Sequence, residues 1–232
     1  MVTAVRVRGY GVSNGFRTPL SQSVQDTLPL PTPTQILGLF GAAAGISRLE
    51  MPKIYGKLHV GVVGTHLTNY QDLTRIVKYA SGGKIKKPQS LLIRENLYHS
   101  FFTIWYIPAS DISVSMVKDA FQDPKYALSL GRDDEILRID EIKIVELKQV
   151  SEALIHDTVV PFPLDPARDR IMESDDIMIP LTPVPLPRSF QVNEKLVRKP
   201  GDFKQYTFIE GYKIRSNRES ALDDEGIQFF PL

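Results

Sequence analysis

An uncharged run from Ile36 to Ile46 constrains this chain more than any other feature. It follows Thr32-Pro33-Thr34-Gln35, a strong helix start. Thr32 serves as N-cap, Pro33 stands at the first helical position where its missing N–H costs nothing, and Gln35 can close a capping box. The helix it starts has no polar face and contains Gly38, Gly41, Ala42, Ala43, Ala44 and Gly45, so it must be buried and approached closely by other backbone. Each interior glycine costs about 1 kcal/mol relative to alanine, which close packing has to offset.

Around this helix the patterns alternate. Val2, Ala4, Val5 and Val7 read as a strand with one wet face, ending at Gly9. From Gly9 to Pro31 glycine, proline, serine and threonine predict a long irregular loop. Lys57 to His66 reads as a second strand, and Leu73, Ile76, Val77 and Ala80 give Tyr70 to Ala80 a helical spacing that Ser81-Gly82-Gly83 breaks. Strands resume over Leu91 to Tyr98 and Phe101 to Ile107. A short helix follows, capped by Ser110 or Asp111 and carrying Val114, Val117 and Phe121, and Ile136 to Leu147 reads as a further strand. This order predicts an α+β fold: a ferredoxin-like (RRM-like) βαββαβ domain over 1–150 with an insertion at about 67–92. Eight of the 17 prolines fall between Pro161 and Pro200, so 151–232 reads as a Pro-rich region of short edge strands and extended loops. It is either a small β appendage or a wrap over the first domain.

With 232 residues, 42% of them hydrophobic, the chain suits one large domain or one and a half. Lys+Arg number 28 against Asp+Glu 27, so any nucleic-acid surface has to come from local segregation of charge. The absence of cysteine excludes disulfide scaffolds, Cys-ligated zinc, iron–sulfur clusters and thiol nucleophiles. Arg6 and Arg8 interrupt the apolar stretch that a signal peptide needs, and Ile36 to Ile46 is too short to span a bilayer. A cytoplasmic protein without membrane association is the expectation.

Gly11-Val12-Ser13-Asn14-Gly15 matches the G-x-S-x-G nucleophile elbow, but Phe16-Arg17-Thr18-Pro19 stands where the elbow needs a helix. Gly9-x-Gly11 lacks the third glycine of a dinucleotide fingerprint, and phosphate-loop, zinc-protease and EF-hand patterns are absent. His59, His66, His99 and His156 show no metal-ligand spacing, so no metal and no cofactor are expected. His99 is the one candidate general base, able to take a 2′-hydroxyl proton in metal-free RNA cleavage.

Charge segregates most clearly between Arg75 and Arg94, where Arg75, Lys78, Lys84, Lys86, Lys87 and Arg94 meet no acid. With Gly82-Gly83 in its centre, the run reads as a basic finger reaching for phosphate, against the plainer reading of a solvated loop. Arg6, Arg8 and Arg17 add positive charge at a sheet end. Acids gather at Asp133-Asp134-Glu135, from Asp165 to Asp176, and at Asp223-Asp224-Glu225, where they read as solvated or as contacts for protein partners. Phe101, Phe102, Trp105, Phe229 and Phe230 suit either a core or an interface.

Four segments, in order, carry a resemblance. They are Gly9-Tyr10-Gly11 with Phe16-Arg17-Thr18-Pro19; Leu28-Pro29-Leu30-Pro31-Thr32-Pro33-Thr34 running into the Gly/Ala helix; Arg94-Glu95-Asn96-Leu97-Tyr98; and Leu128-Ser129-Leu130-Gly131-Arg132-Asp133-Asp134-Glu135. Over about residues 2–150 the chain resembles the CRISPR-associated Cas five family, a branch of the RAMP proteins. The resemblance implies a βαββαβ domain with a thumb-like insertion, binding the repeat-derived 5′ handle of a CRISPR RNA at one end of the type I Cascade complex. It implies contacts with the backbone and large subunits of Cascade, and with target DNA through the complex. Single-stranded RNA would be held by Arg75, Lys78, Lys84, Lys86, Lys87 and Arg94, with Gly9 to Gly15 allowing close backbone approach. Arg17 and Arg132 would contact RNA or anchor the fold through a carboxylate, with Glu95 and Asp133 as partners. The competing classes are a metal-independent endoribonuclease using His99, since one branch of the family cuts its own precursor RNA, and a subunit contacting only protein.

Overall fold

The computed structural model describes residues 1–18, 24–79, 85–109, 111–174 and 181–232, with side chains described at all of these except 76–79 and 85–90. The architecture is predominantly β: one large sheet with two α-helices among the described residues. Helix α1 (Pro33–Ala44) starts where its sequence requires. The Gln35 N–H donates to Thr32 Oγ1 (3.4 Å), and the Thr32 N–H donates to Gln35 Oε1 (2.8 Å). Gly45, at φ 70°, ends the helix in the left-handed conformation. The close approach to this helix is made by a side chain, not by the backbone expected from its glycines. A Cβ on Gly41 would lie 2.5 Å from Met51 Sδ, whereas one on Gly38 would meet nothing within 4 Å.

Four long strands organise the rest: β1 (Val2–Asn14), β2 (Leu58–Tyr79), β3 (Ile85–Pro108) and, after helix α2 (Val114–Gln122), β4 (Leu137–Val150). They lie in the order β2-β3-β1-β4, each pair antiparallel. Three expectations change. β1 runs five residues past its expected end, through what reads as loop, because Gly9 serves close approach and not a turn. The register against β4 shifts between Arg8 and Gly9, and a Cβ on Gly9 would sit 3.0 Å from the Arg138 carbonyl oxygen. The helix expected from Tyr70 is strand as far as Tyr79, with Leu73 opposite Ile93 and Thr74 opposite Leu92. Leu73 and Val77 share a face at either period, and pairing with an equally β-prone partner strand decides between them. Ala80 and Ser81-Gly82-Gly83 lie outside the described residues. The cap of α2 is Ser113, whose Oγ accepts from Met116 N–H at 3.1 Å, and not Asp111; Ser110 lies outside the described residues.

The C-terminal part joins the same sheet. Strands β5 (Ala153–Val160), β6 (Asp169–Ser174), β7 (Val184–Pro187), β8 (Phe203–Ser216), β9 (Ser220–Leu222) and β10 (Gln228–Phe229) extend the order to β7-β8-β5-β2-β3-β1-β4-β9-β10, with β6 on β8. The 14-residue β8 is longer than the short edge strands that the prolines suggest, and it lies C-terminal to all eight prolines of 161–200.

Two cores flank β1 and β3. Val5, Val7, Ile104 and Tyr106 meet Ile36, Phe40, Val117 and Phe121 from the two helices, and the Tyr106 hydroxyl donates to the Ile36 carbonyl (3.0 Å). On a second core, Ala4, Trp105, Ile107, Val145 and Leu147 are covered by Ala221 and Phe229 from the C-terminal segment. Beside that cover, Arg6 is wholly buried, and its guanidinium pairs with Glu141, Asp223, Asp224 and Glu225 at 2.5–3.0 Å. Burial opposes its charge, but hydrogen bonds to Glu141 and Asp223 outweigh that and raise its pKa. Arg8 pairs with Glu141 and Glu225. The acids at 223–225 are therefore a clasp on two arginines of β1, not a solvated run, and Arg6 and Arg8 add no free positive charge at the sheet end.

Candidate nucleic-acid interface

The basic run expected to reach for phosphate lies on the distal half of the β2–β3 ribbon. Arg75 is exposed on β2 opposite Leu91, and Lys78 stands directly opposite Lys87 in the register. Lys86 belongs to β3; the side chains of Lys78, Lys86 and Lys87, and all of Lys84, lie outside the described residues. Arg94 faces Asp72 across the ribbon and Gln25 on its other side, with its Nε buried and lacking a hydrogen-bond partner among the described residues. One continuous ribbon thus carries Arg75, Lys78, Lys86, Lys87 and Arg94.

Arg17 and Arg132 stand apart from that ribbon and from each other in role. Arg17, on the short strand Phe16–Arg17 paired with Thr27–Leu28, is exposed and lines a cavity of about 460 Å³. Arg48 and Arg198 line it too, beside Gly38 on α1; the sequence pattern singles out neither arginine. Arg132 is engaged by the fold: its Nη2 lies 2.6 Å from Glu135 Oε1 and donates to Asn96 Oδ1 at 2.9 Å. Its carboxylate partners are Glu135 and, at 3.6 Å from Nε, Asp134, not Glu95 or Asp133. Glu95 instead accepts from the Thr27 N–H (3.0 Å). Glu135 also accepts from the backbone N–H groups of Gly15 (3.0 Å) and Arg132 (2.6 Å). Burial raises its pKa against those donors. Gly131, at φ 118°, completes the knot, since a Cβ there would fall 1.9 Å from Glu135 Oε2.

His99 stands in the middle of β3 with φ 52°, a left-handed conformation uncommon outside glycine. Its Nδ1 hydrogen-bonds the Tyr10 hydroxyl. It belongs to a row of rings: Tyr70 and Tyr98 have centroids 6.0 Å apart, Tyr98 and His99 4.1 Å, His99 and Tyr10 5.6 Å, and Tyr10 and Phe101 5.1 Å. Ser13 Oγ holds the Tyr70 hydroxyl at 2.7 Å, and the Arg138 guanidinium lies over the Tyr10 ring at 4.9 Å, tied to Asp140 (2.7 Å). Tyr10, Tyr70 and Arg138 escape a reading of the sequence because no local pattern joins residues from three different strands. The other histidines stand apart: His66 Nε2 lies 3.3 Å from Glu210, and His156 pairs with Asp157. Among the described residues no group of three or more His, Asp or Glu side chains could hold a metal ion, and no helix is long and apolar enough to cross a membrane.

The whole chain, C-terminal part included, superposes on a CRISPR protein from Archaeoglobus fulgidus with a TM-score of 0.54 at 11% identity, covering 99% of this chain and 100% of that one. The fold is that of CRISPR-associated proteins. It is similar also to a chain of a CRISPR RNA-guided surveillance complex (TM-score 0.56, 17% identity, 98% of this chain and 91% of that one). A third similar chain comes from the type III-B Cmr-beta bound to cognate target RNA and AMPPnP (TM-score 0.51, 9% identity, 90% and 86%). No family model and no curated protein matches the sequence. At these identities the likeness is one of fold, and it reaches across 151–232, beyond the segments that carry the sequence resemblance.

Proposed function

We propose that the chain is a non-catalytic RNA-binding subunit of a type I CRISPR Cascade complex, holding the 5′ repeat-derived handle of the CRISPR RNA in antiviral defence. The observation that carries this reading is the register that sets Lys78 opposite Lys87 on a ribbon also bearing Arg75, Lys86 and Arg94. Like charges directly opposite across a strand pair oppose each other, and a polyanion between them relieves that repulsion. Lys84 belongs to the same set by sequence, and Arg17 and Arg132 are its secondary members. The similarity to a chain of an RNA-guided complex supports an RNA ligand. In the same reading residues 1–150 form a ferredoxin-like unit with a thumb at about 67–92, supported by the order β2-β3-β1-β4 with a helix after β1 and after β3. Residues 151–232 form its β-rich appendage, the partners are the backbone and large Cascade subunits with target DNA reached through the complex, and the location is cytoplasmic.

The test is handle binding by the charge reversal Lys84→Glu, Lys86→Glu, Lys87→Glu. Binding should weaken strongly, and the slope of log K against log salt should become shallower by about 0.7 for each phosphate that is no longer neutralised. Unchanged affinity and slope would overturn the ribbon as the RNA site.

One observation favours a second reading, a metal-independent endoribonuclease: the Tyr10 hydroxyl engages His99 Nδ1, orienting the ring as a general base requires. Cleavage of repeat RNA by the isolated chain, abolished in His99→Ala, would establish it. Intact RNA would leave the handle-holding role.

A further inference from the structure

The row of rings on β1, β2 and β3 is left uncovered beside a face that is otherwise closed. Along β3, Trp105 is fully buried under Phe229, whereas Phe101, four residues away, is 55% exposed. The C-terminal cover reaches Arg8 through Glu225, and Tyr10, the next alternate residue of β1, lies beyond it. Tyr70 and Tyr98 are 38% and 37% exposed. Exposed aromatic rings in contact, on rigid strands, are a costly surface for a chain to leave open, and patches of this kind mark a binding site.

We propose that Tyr10, Tyr70, Tyr98, His99 and Phe101 form a stacking platform for the unpaired bases of the RNA whose phosphates the basic ribbon holds. The proposal rests on the RNA-binding reading given above and adds to it where the bases go. Three observations commit the platform to nucleic acid. The rings are fixed in place by the bonds from Tyr10 to His99 and from Ser13 to Tyr70, which suits flat faces presented to flat ligands. On β3, Arg94 stands four residues from Tyr98 on the same face of the ribbon, opposite Asp72, so a guanidinium and the row of rings share one surface, with Arg75 on the other face. Arg138, paired with Asp140, lies over Tyr10 and places a planar guanidinium beside the row. Aromatic side chains on the central strands of a four-stranded sheet stack about two or three bases in RNA-binding domains, and stacking tolerates any base.

The experiment uses the full chain and a short oligoadenylate RNA carrying one 2-aminopurine, whose fluorescence falls when it stacks. Phe101→Ala and Tyr98→Ala should each weaken binding by about 5- to 100-fold and restore the fluorescence, with the salt slope unchanged because every phosphate stays neutralised. Phe101→Trp should keep both. An unchanged emission of Trp105 would show that the alanine variants remain folded. If the lysine reversals weaken binding but the ring variants alter neither affinity nor fluorescence, the platform is overturned and the ribbon survives. If neither set has an effect, the RNA reading itself fails. A DNA oligomer of the same sequence that binds more tightly than the RNA would assign the platform to unpaired DNA instead. Loss of a protein subunit from the purified complex in the ring variants, with RNA retained, would overturn the proposal in favour of protein docking.

Discussion

Trp105 lies stacked on Phe229, with 4.2 Å between ring centroids and 14° between planes. Both are fully buried, and a Cβ on Gly61 would come 2.2 Å from the Phe229 ring. The C-terminal segment is thus packed onto the sheet as tightly as a core element. Because Trp105 is the only tryptophan, its fluorescence reports on this buried site.

Phe229→Ala leaves a cavity over Trp105 and is expected to cost about 3–5 kcal/mol. The urea midpoint should fall and native Trp105 emission should move to the red. An unshifted emission would mean that the cover is not seated there in solution.

Removing Arg6 strands the fully buried Asp223 side chain. Arg6→Met should destabilise by about 3–5 kcal/mol, and adding Asp223→Asn should restore part of the loss, since breaking a buried pair costs more than replacing it. A double-mutant cycle by chemical denaturation measures the coupling; additivity would refute it.

Acid should open the same clasp. The hydrogen bond from Lys143 holds the Asp224 carboxyl below its usual range, with Arg6 adding to it, and the hydrogen bond from Arg8 does the same for Glu225. Groups with depressed pKa contribute stability that is complete above their unfolded values and is lost as pH falls through the folded ones. Trp105 emission should hold steady at neutral pH and move to the red below about pH 4. In Arg8→Gln the transition should begin at higher pH.

Gly131→Ala places a Cβ at φ 118° and 1.9 Å from Glu135 Oε2. Backbone strain alone costs of order 1–3 kcal/mol, and displacement of Glu135 adds to it by freeing the Gly15 and Arg132 N–H groups. A drop in the urea midpoint checks it, and a wild-type midpoint would contradict the knot.

In the free protein Lys78→Gln should steady the ribbon, because it removes the like charge opposite Lys87. Hydrogen exchange of β2 and β3 should slow while RNA affinity falls. Slower exchange with unchanged or higher affinity would separate the ribbon's charge from its proposed use.

Signals that act within a few residues were legible in the chain. The capping box of Thr32 and Gln35 and the apolar alternation of β1 and β4 each rest on neighbours close in sequence. Tyr70 to Tyr79 was not legible, because Leu73 and Val77 share a face at both periods and only the partner strand breaks the tie. The aromatic row was half legible: Tyr98 and Phe101 stand near each other in sequence, but Tyr10 and Tyr70 reach them only through strand pairing.

The amino-acid sequence by itself determined a buried glycine- and alanine-rich helix with its N-cap, several of the strands, and a basic run free of acids. Only the tertiary structure decided that Arg6 and Arg8 are neutralised by acids from the far end of the chain, that Arg132 is held by Glu135, and that five rings from three strands meet on one uncovered surface. Caps and alternation depend on bonds across three or four residues, whereas burial, charge neutralisation and ring contact are set by which distant strands lie side by side.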